Sequence, residues 1–169
     1  WMTCYARSMN IEHILAVFNR HEVRYLLIGG VNFLLRHKPV LTFDVDFWIE
    51  DSDANRQRCE LALIELCAEW GRTEKDWGPV NARPAGWLAQ QSVFCLTSPH
   101  GAIDVFRQVQ GLTSWDAAYA TSVSGNTAAG VPYQGLSDQD MLACQLSIPP
   151  ESRKSDRIRD LQKAMASHE

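Results

Sequence analysis

The chain has 169 residues, 46% apolar and 21% charged, with a formal net charge of −4. That length suits one domain with a sizeable core, and the composition is that of an ordinary soluble globular protein. The acidic balance argues against a broad nucleic-acid footprint, leaving at most a local patch, and no apolar run reaches the ~20 residues of a membrane span. No signal-peptide pattern opens the chain, so the expectation is a cytoplasmic protein without a membrane partner. Residues 1–9, opening on Trp1-Met2, read as a tag or upstream extension, with Met9 as a natural start. Five cysteines (Cys4, Cys59, Cys67, Cys95, Cys144) lack CxxC spacing and fit reduced, mostly buried thiols better than disulfides or zinc ligands. The five histidines show no metal-ligand spacing either.

In chain order, Asn10 caps a first helix whose Ile11, Ile14, Leu15 and Phe18 recur at helical spacing and which ends near His21. A strand over about 24–28 runs into Gly29-Gly30, then a short helix from Val31 to Arg36, then a Lys38-Pro39 break. A second strand, Thr42 to Ile49, carries Asp44 and Asp46. Ser52 or Asp53 opens a longer helix to about Trp70, with Cys59, Leu63, Leu66, Cys67 and Trp70 as its buried stripe and Gly71 at its C-terminus. Residues 72–91, rich in Gly, Pro and Trp, suggest a loop covering a site. Trp77 and Trp87 are candidate walls, although core packing is the leading role for either.

Ser92–Thr97 and Ala102–Val109 read as strands joined by a Pro/Gly turn, the second bearing Asp104. Trp115–Tyr119 is a short helix or turn, and 121–133 suggests a hairpin at the sheet margin. Ser137-Asp138-Gln139-Asp140 opens a helix to about Ile148, stopped by Pro149-Pro150. A last helix covers about 155–166 with Ile158, Leu161 and Met165 inward, and Arg153 to Arg159 on a solvated face. The whole is an α+β fold: residues 10–110 as the core and 111–169 as a hairpin and short helices packed on it, in a single domain.

The chemistry concentrates between residues 25 and 50. Side chains two apart in a strand share a face, roughly 6.6–6.8 Å apart. Asp44, Asp46 and Trp48 therefore face one way and Val45, Phe47 and Ile49 the other. Paired carboxylates repel unless a cation or proton intervenes, and a hard divalent cation such as magnesium suits their oxygens. Gly29-Gly30 lets backbone approach a ligand closely, and the following helix start favours an anion. Asp104 can join the acidic pair if a sheet brings the two strands together.

These features resemble the signature of the nucleotidyltransferase superfamily. Ile28-Gly29-Gly30, a short helix, and Thr42-Phe43-Asp44-Val45-Asp46 match its glycine turn and Asp-x-Asp strand; Ile103-Asp104-Val105-Phe106 matches its third acidic element. Leu136-Ser137-Asp138-Gln139-Asp140-Met141-Leu142 and Lys154 to Leu161 resemble the closing helices of small bacterial members, those related to AbiEii abortive-infection toxins and to aminoglycoside and lincosamide nucleotidyltransferases. The resemblance spans about Ile11 to Leu161. It implies a mixed sheet flanked by helices and transfer of a nucleoside monophosphate from an NTP to an acceptor hydroxyl on a small molecule, protein or RNA. It implies that Asp44 and Asp46 hold magnesium, two ions in all, with Asp104 a further ligand or the proton acceptor. Gly29 and Gly30 would contact the triphosphate, with Thr42 and Lys38 as further phosphate candidates.

Two positions depart from that pattern. Val40 and Gln145 stand where many relatives carry Arg and Lys, and Arg36, Lys38 or Arg107 are the candidate replacements. The alternative is a member of the same fold that binds nucleotide or a partner without catalysis, as half of a toxin–antitoxin pair or as a homodimer.

Overall fold

The structure, a computed structural model, describes residues 9–168. Cys4 and residues 1–8 of the expected extension lie outside the described residues. In chain order the elements are α1 (Ile11–Arg20), β1 (Tyr25–Ile28), α2 (Gly29–Arg36), β2 (Asp44–Ile49), α3 (Asp53–Glu65), β3 (Glu69–Trp70) and β4 (Gly78–Pro79). They continue as β5 (Val93–Leu96), β6 (Ala102–Phe106), α4 (Trp115–Ala120), β7 (Val123–Asn126), β8 (Pro132–Gly135), α5 (Asp138–Leu146) and α6 (Ser155–Ala166). Asn10, Ser52 and Ser137 cap their helices as expected, and Ser114 caps α4 as well, each accepting a hydrogen bond from an N–H of the first turn.

Six strands form one mixed sheet in the order β5-β6-β2-β1-β8-β7. β2 runs antiparallel to β1 and parallel to β6, while β8 lies parallel to β1. The C-terminal third thus supplies two strands of the main sheet, with β7 forming its edge. This is the mixed-sheet α+β architecture the motifs implied.

Alternation along the strands separates two cores. Tyr25, Leu27, Val45, Phe47 and Ile49 pack under α1 and α3, where Phe18 stacks on Phe47 at 4.0 Å between ring centroids. Leu26, Ile28 and Trp48 face the other way, against Trp115, Met141 and Leu161 of α4, α5 and α6. Asn55, fully buried, ties the strand ends together: it accepts from Arg24 N and donates to the carbonyls of Arg24 and Glu50. The central strands are therefore fixed before the site on them is considered.

The segment after α3 departs from expectation. The helix stops at Glu65 because Cys67 adopts a left-handed φ of 55°, turning the chain into β3. Trp70 is buried from that strand rather than from a helical stripe, and Cys67 is exposed. Of the four described cysteines only Cys59 is fully buried, so the thiols are not mostly interior. Gly71 does not cap the helix; a Cβ there would stand 2.6 Å from the Trp77 backbone.

Residues 72–91 do not cover a site. Trp87 sits in the core between Trp70 and Phe94, and buried Glu60 accepts hydrogen bonds from Gly86 N and Leu88 N, pinning the segment to α3. Trp77 is 41% exposed and donates to Glu69 Oε2. Truncating Trp87 to Ala should cost about 3–5 kcal/mol by the cavity it leaves. Trp77→Ala should stay within about 1 kcal/mol, as surface changes do. Urea denaturation of the two variants checks the contrast.

Candidate active site

Parallel pairing of β2 with β6 sets Asp46 beside Asp104 and Asp44 beside Ala102. Since alternate residues share a face, all three carboxylates emerge on the same side of the sheet. Each offers an oxygen, and these oxygens lie within 4.8 Å of one another. Asp46 Oδ1 is buried with no hydrogen-bond partner, an acceptor left for something from outside the chain. Three hard oxygen donors with one of them orphaned fit a divalent cation such as magnesium. Cys95, opposite Asp104 on β5, adds a thiol at the margin, and burial together with the Asp104 charge pushes its pKa up.

Burial is the main reason the Asp46 carboxyl is pushed up to about 8, with the charges of Asp44 and Asp104 adding to it and Arg157 opposing it. Burial also leads at Asp104, which is pushed up to about 6, followed by its hydrogen bond and charge contact with Asp44. Like charges crowded in a half-dry site hold protons until a cation replaces them.

The glycine turn is built around the same acids. Gly29, the first residue of α2, has φ +70°, and a Cβ on it would fall 2.3 Å from Asp46 Oδ2. A side chain at 29 would be strained by its backbone and would also strike the carboxylate. A Cβ on Gly30 would meet Thr42 Oγ1 at 2.9 Å and the Arg157 guanidinium at 3.6 Å. Gly29, Gly30, Thr42, Asp44 and Asp46 all line one cleft of about 1100 Å³.

The cations at this cleft are not those singled out from the sequence. Lys38 pairs with Asp160 at 2.6 Å and lines a neighbouring hollow. Arg36 pairs with Asp138 and donates to Leu136 O. Arg107 makes two hydrogen bonds to Asp51 and also reaches the carbonyls of Ala89 and Gln91, anchoring the 72–91 segment. Lys154 and Arg157, at the start of α6, line the cleft instead. Gln145 Oε1 accepts from Lys154 N, tying the C-terminal end of α5 to this basic turn.

Arg157 is thus not part of a solvated face: it is half-buried, its guanidinium 5.4 Å from the centroid of the Phe33 ring. The signal that would have found it is its spacing. It stands one turn before Leu161, the fully buried anchor of α6, so it shares the inward stripe.

No protein-family profile and no curated protein sequence matches the chain. Solved structures do. The lincosamide antibiotic adenylyltransferase LnuA, solved with lincomycin bound, superposes with a TM-score of 0.60 at 15% identity, over 92% of this chain and 98% of its own. ANT(2'')-Ia, solved with adenylyl-2''-tobramycin, gives 0.58 at 15% identity over 94% of this chain and 87% of its own. A solution structure of that antibiotic-resistance factor gives 0.57 at 17% identity, over 94% and 82%. The fold is the nucleotidyltransferase fold. Within the nucleotidyltransferase fold of this chain, the acidic cluster, the glycine turn and the basic start of α6 share one side of the central sheet. No described helix is long and apolar enough to cross a membrane.

The raised carboxyls make stability depend on pH in a definite direction. An acid whose folded pKa lies above its ordinary value stabilises the fold fully below that ordinary value, and the contribution is lost as pH rises through the folded pKa. With Asp104 near 6 and Asp46 near 8, the metal-free protein should melt at progressively lower temperature as pH climbs from the ordinary carboxyl value of 3.8 to about 8, most steeply below 6 where both acids contribute. Magnesium should restore stability most at the alkaline end, and Asp46→Asn should flatten both trends. Thermal melts across about pH 5 to 9, with and without magnesium, measure this.

Proposed function

We propose that the protein is a magnesium-dependent nucleotidyltransferase, moving a nucleoside monophosphate from an NTP to an acceptor hydroxyl. The observation that carries the reading is the convergence of three acidic oxygens, one orphaned, two of the acids lining a cleft with the glycine turn and two cations. Asp44, Asp46 and Asp104 would hold the metal, one ion or two. When bound, it would neutralise charge on the transferring phosphoryl group and leaving pyrophosphate.

The chain's own residues do the rest. Arg157 and Lys154, at the positive N-terminal end of α6, receive phosphate oxygens. The Gly29-Gly30 turn and Thr42 let the triphosphate lie close to the backbone of α2. Leu41 and Phe43, 81% and 76% exposed on the cleft lip, offer apolar cover for the nucleoside. The acceptor oxygen attacks the α-phosphorus, the bond to the β-phosphate oxygen breaks, and pyrophosphate leaves. Asp104, on the neighbouring strand in the same rung as Asp46, takes the acceptor proton. The competing reading, a nucleotide-binding half of a toxin–antitoxin pair without transfer, draws on Gln145 standing where the resembled family carries Lys.

Titration of NTPs in magnesium, followed by pyrophosphate release with pooled acceptors, tests the proposal. Asp104→Ala should lower turnover at least about 100-fold, in the range expected for losing a positioned base. Arg157→Ala should weaken NTP binding roughly tenfold or more, as loss of a charge-assisted hydrogen bond does, whereas Lys38→Ala should change it less than about threefold. Magnesium-independent NTP binding in the wild type, or equal effects at 157 and 38, would sink the assignment. NTP binding without pyrophosphate release would favour the competing reading.

A further inference from the structure

The cleft has two chemically different halves. Gly30, Thr42 and Arg157 cluster, and Lys154, just before the first turn of α6, donates its N–H to Gln145 of α5. On the other side the sheet continues through β6 to β5, and the chain leaving β6 is fastened to the end of α5. Gln110 donates to Ser147 O, Ser147 Oγ donates to Gln110 O, and Gly111 is so close that a Cβ would stand 2.8 Å from Ser147. This joint makes a wall, and the cleft residues on its two segments, Gln108, Val109, Gln110, Cys144, Gln145 and Ile148, carry no charge.

Val93, Phe106, Val109 and Ile148 supply apolar surface there, with Gln108 and Gln110 as neutral hydrogen-bonding groups. Val93 is 37% exposed although it is a β-branched side chain on the site face of a strand, so a surface of that half stands open for cover. The charged groups lining the cleft are Asp44, Asp46, Lys154 and Arg157, all assigned to the metal and triphosphate.

Resting on the transferase reading, we infer that the acceptor is an uncharged, amphiphilic small molecule that presents a hydroxyl beside an apolar ring or chain. A polycation held in this half would need carboxylates beyond those that face the metal, because desolvated ammonium groups without partners are strongly disfavoured. A polyanion such as RNA would need basic groups there, and its backbone contacts would be unpartnered. A neutral amphiphile matches the wall: apolar surface covers Val93, Phe106 and Ile148, and glutamine amides take its polar edge.

The test uses the full chain with magnesium and the non-hydrolysable NTP analogue that binds best among the four, binding of each being measured first. Chloramphenicol, a neutral ring with two hydroxyls, and tobramycin, a polycation, are then titrated by calorimetry and saturation-transfer NMR. Chloramphenicol should bind at least tenfold tighter than tobramycin in low salt. Val93→Asp, an exposed position, should weaken chloramphenicol about tenfold and strengthen tobramycin. Tobramycin binding as well as chloramphenicol, binding of neither, or indifference of both to Val93→Asp overturns the inference. If analogues of none of the four NTPs bind, the transferase reading has failed; if one binds and the acceptor preference is reversed, only the acceptor class is wrong. A circular-dichroism melt of Val93→Asp separates loss of recognition from loss of fold.

Discussion

Parallel pairing of β2 with β6 is the constraint on which the site depends. It places Asp46 and Asp104 in the same rung although 58 positions separate them in the chain. Two carboxylates so placed, with Asp44 on the same face, oppose each other's ionisation, and burial adds to the penalty. Such an arrangement persists only because the surrounding fold over-determines it. The two hydrophobic layers, the Asn55 tie between β1 and β2, and the Arg107–Asp51 pair hold the strands whether or not the acids are comfortable. The destabilised charge is then available for binding a cation.

The same economy of position governs the glycine turn. Gly29 is usually considered from the ligand's side, as backbone freed to approach a phosphate. Here its immediate neighbour is the Asp46 carboxylate, so the turn makes room for the acid as well as for a ligand. The start of α2 and the face of β2 are thereby one unit.

Much of this was legible in the sequence because it rests on local rules. Alternation in 44–49 gave the correct facing of Asp44 and Asp46, and asparagine or serine caps marked three helix starts. The third acid followed from a strand pattern around Asp104. What could not be read was decided by tertiary contacts. A left-handed residue at Cys67 ended α3 a turn early, and Glu60 drew Trp87 and its neighbours into the core rather than over the cleft. The cations that line the cleft escaped notice for a related reason. Nearness in sequence favoured Lys38, but Asp160 holds it, whereas Arg157 reaches the acids from the far end of the chain.

That distribution bears on how the site comes into being during synthesis. All three acids have been made once residue 104 emerges, while Arg157 is added only after β7, β8 and α5. Until then the acids lack the arginine whose charge opposes the raised pKa of Asp46. Completion of the final described helix is therefore the event that brings a positive charge to the acidic face.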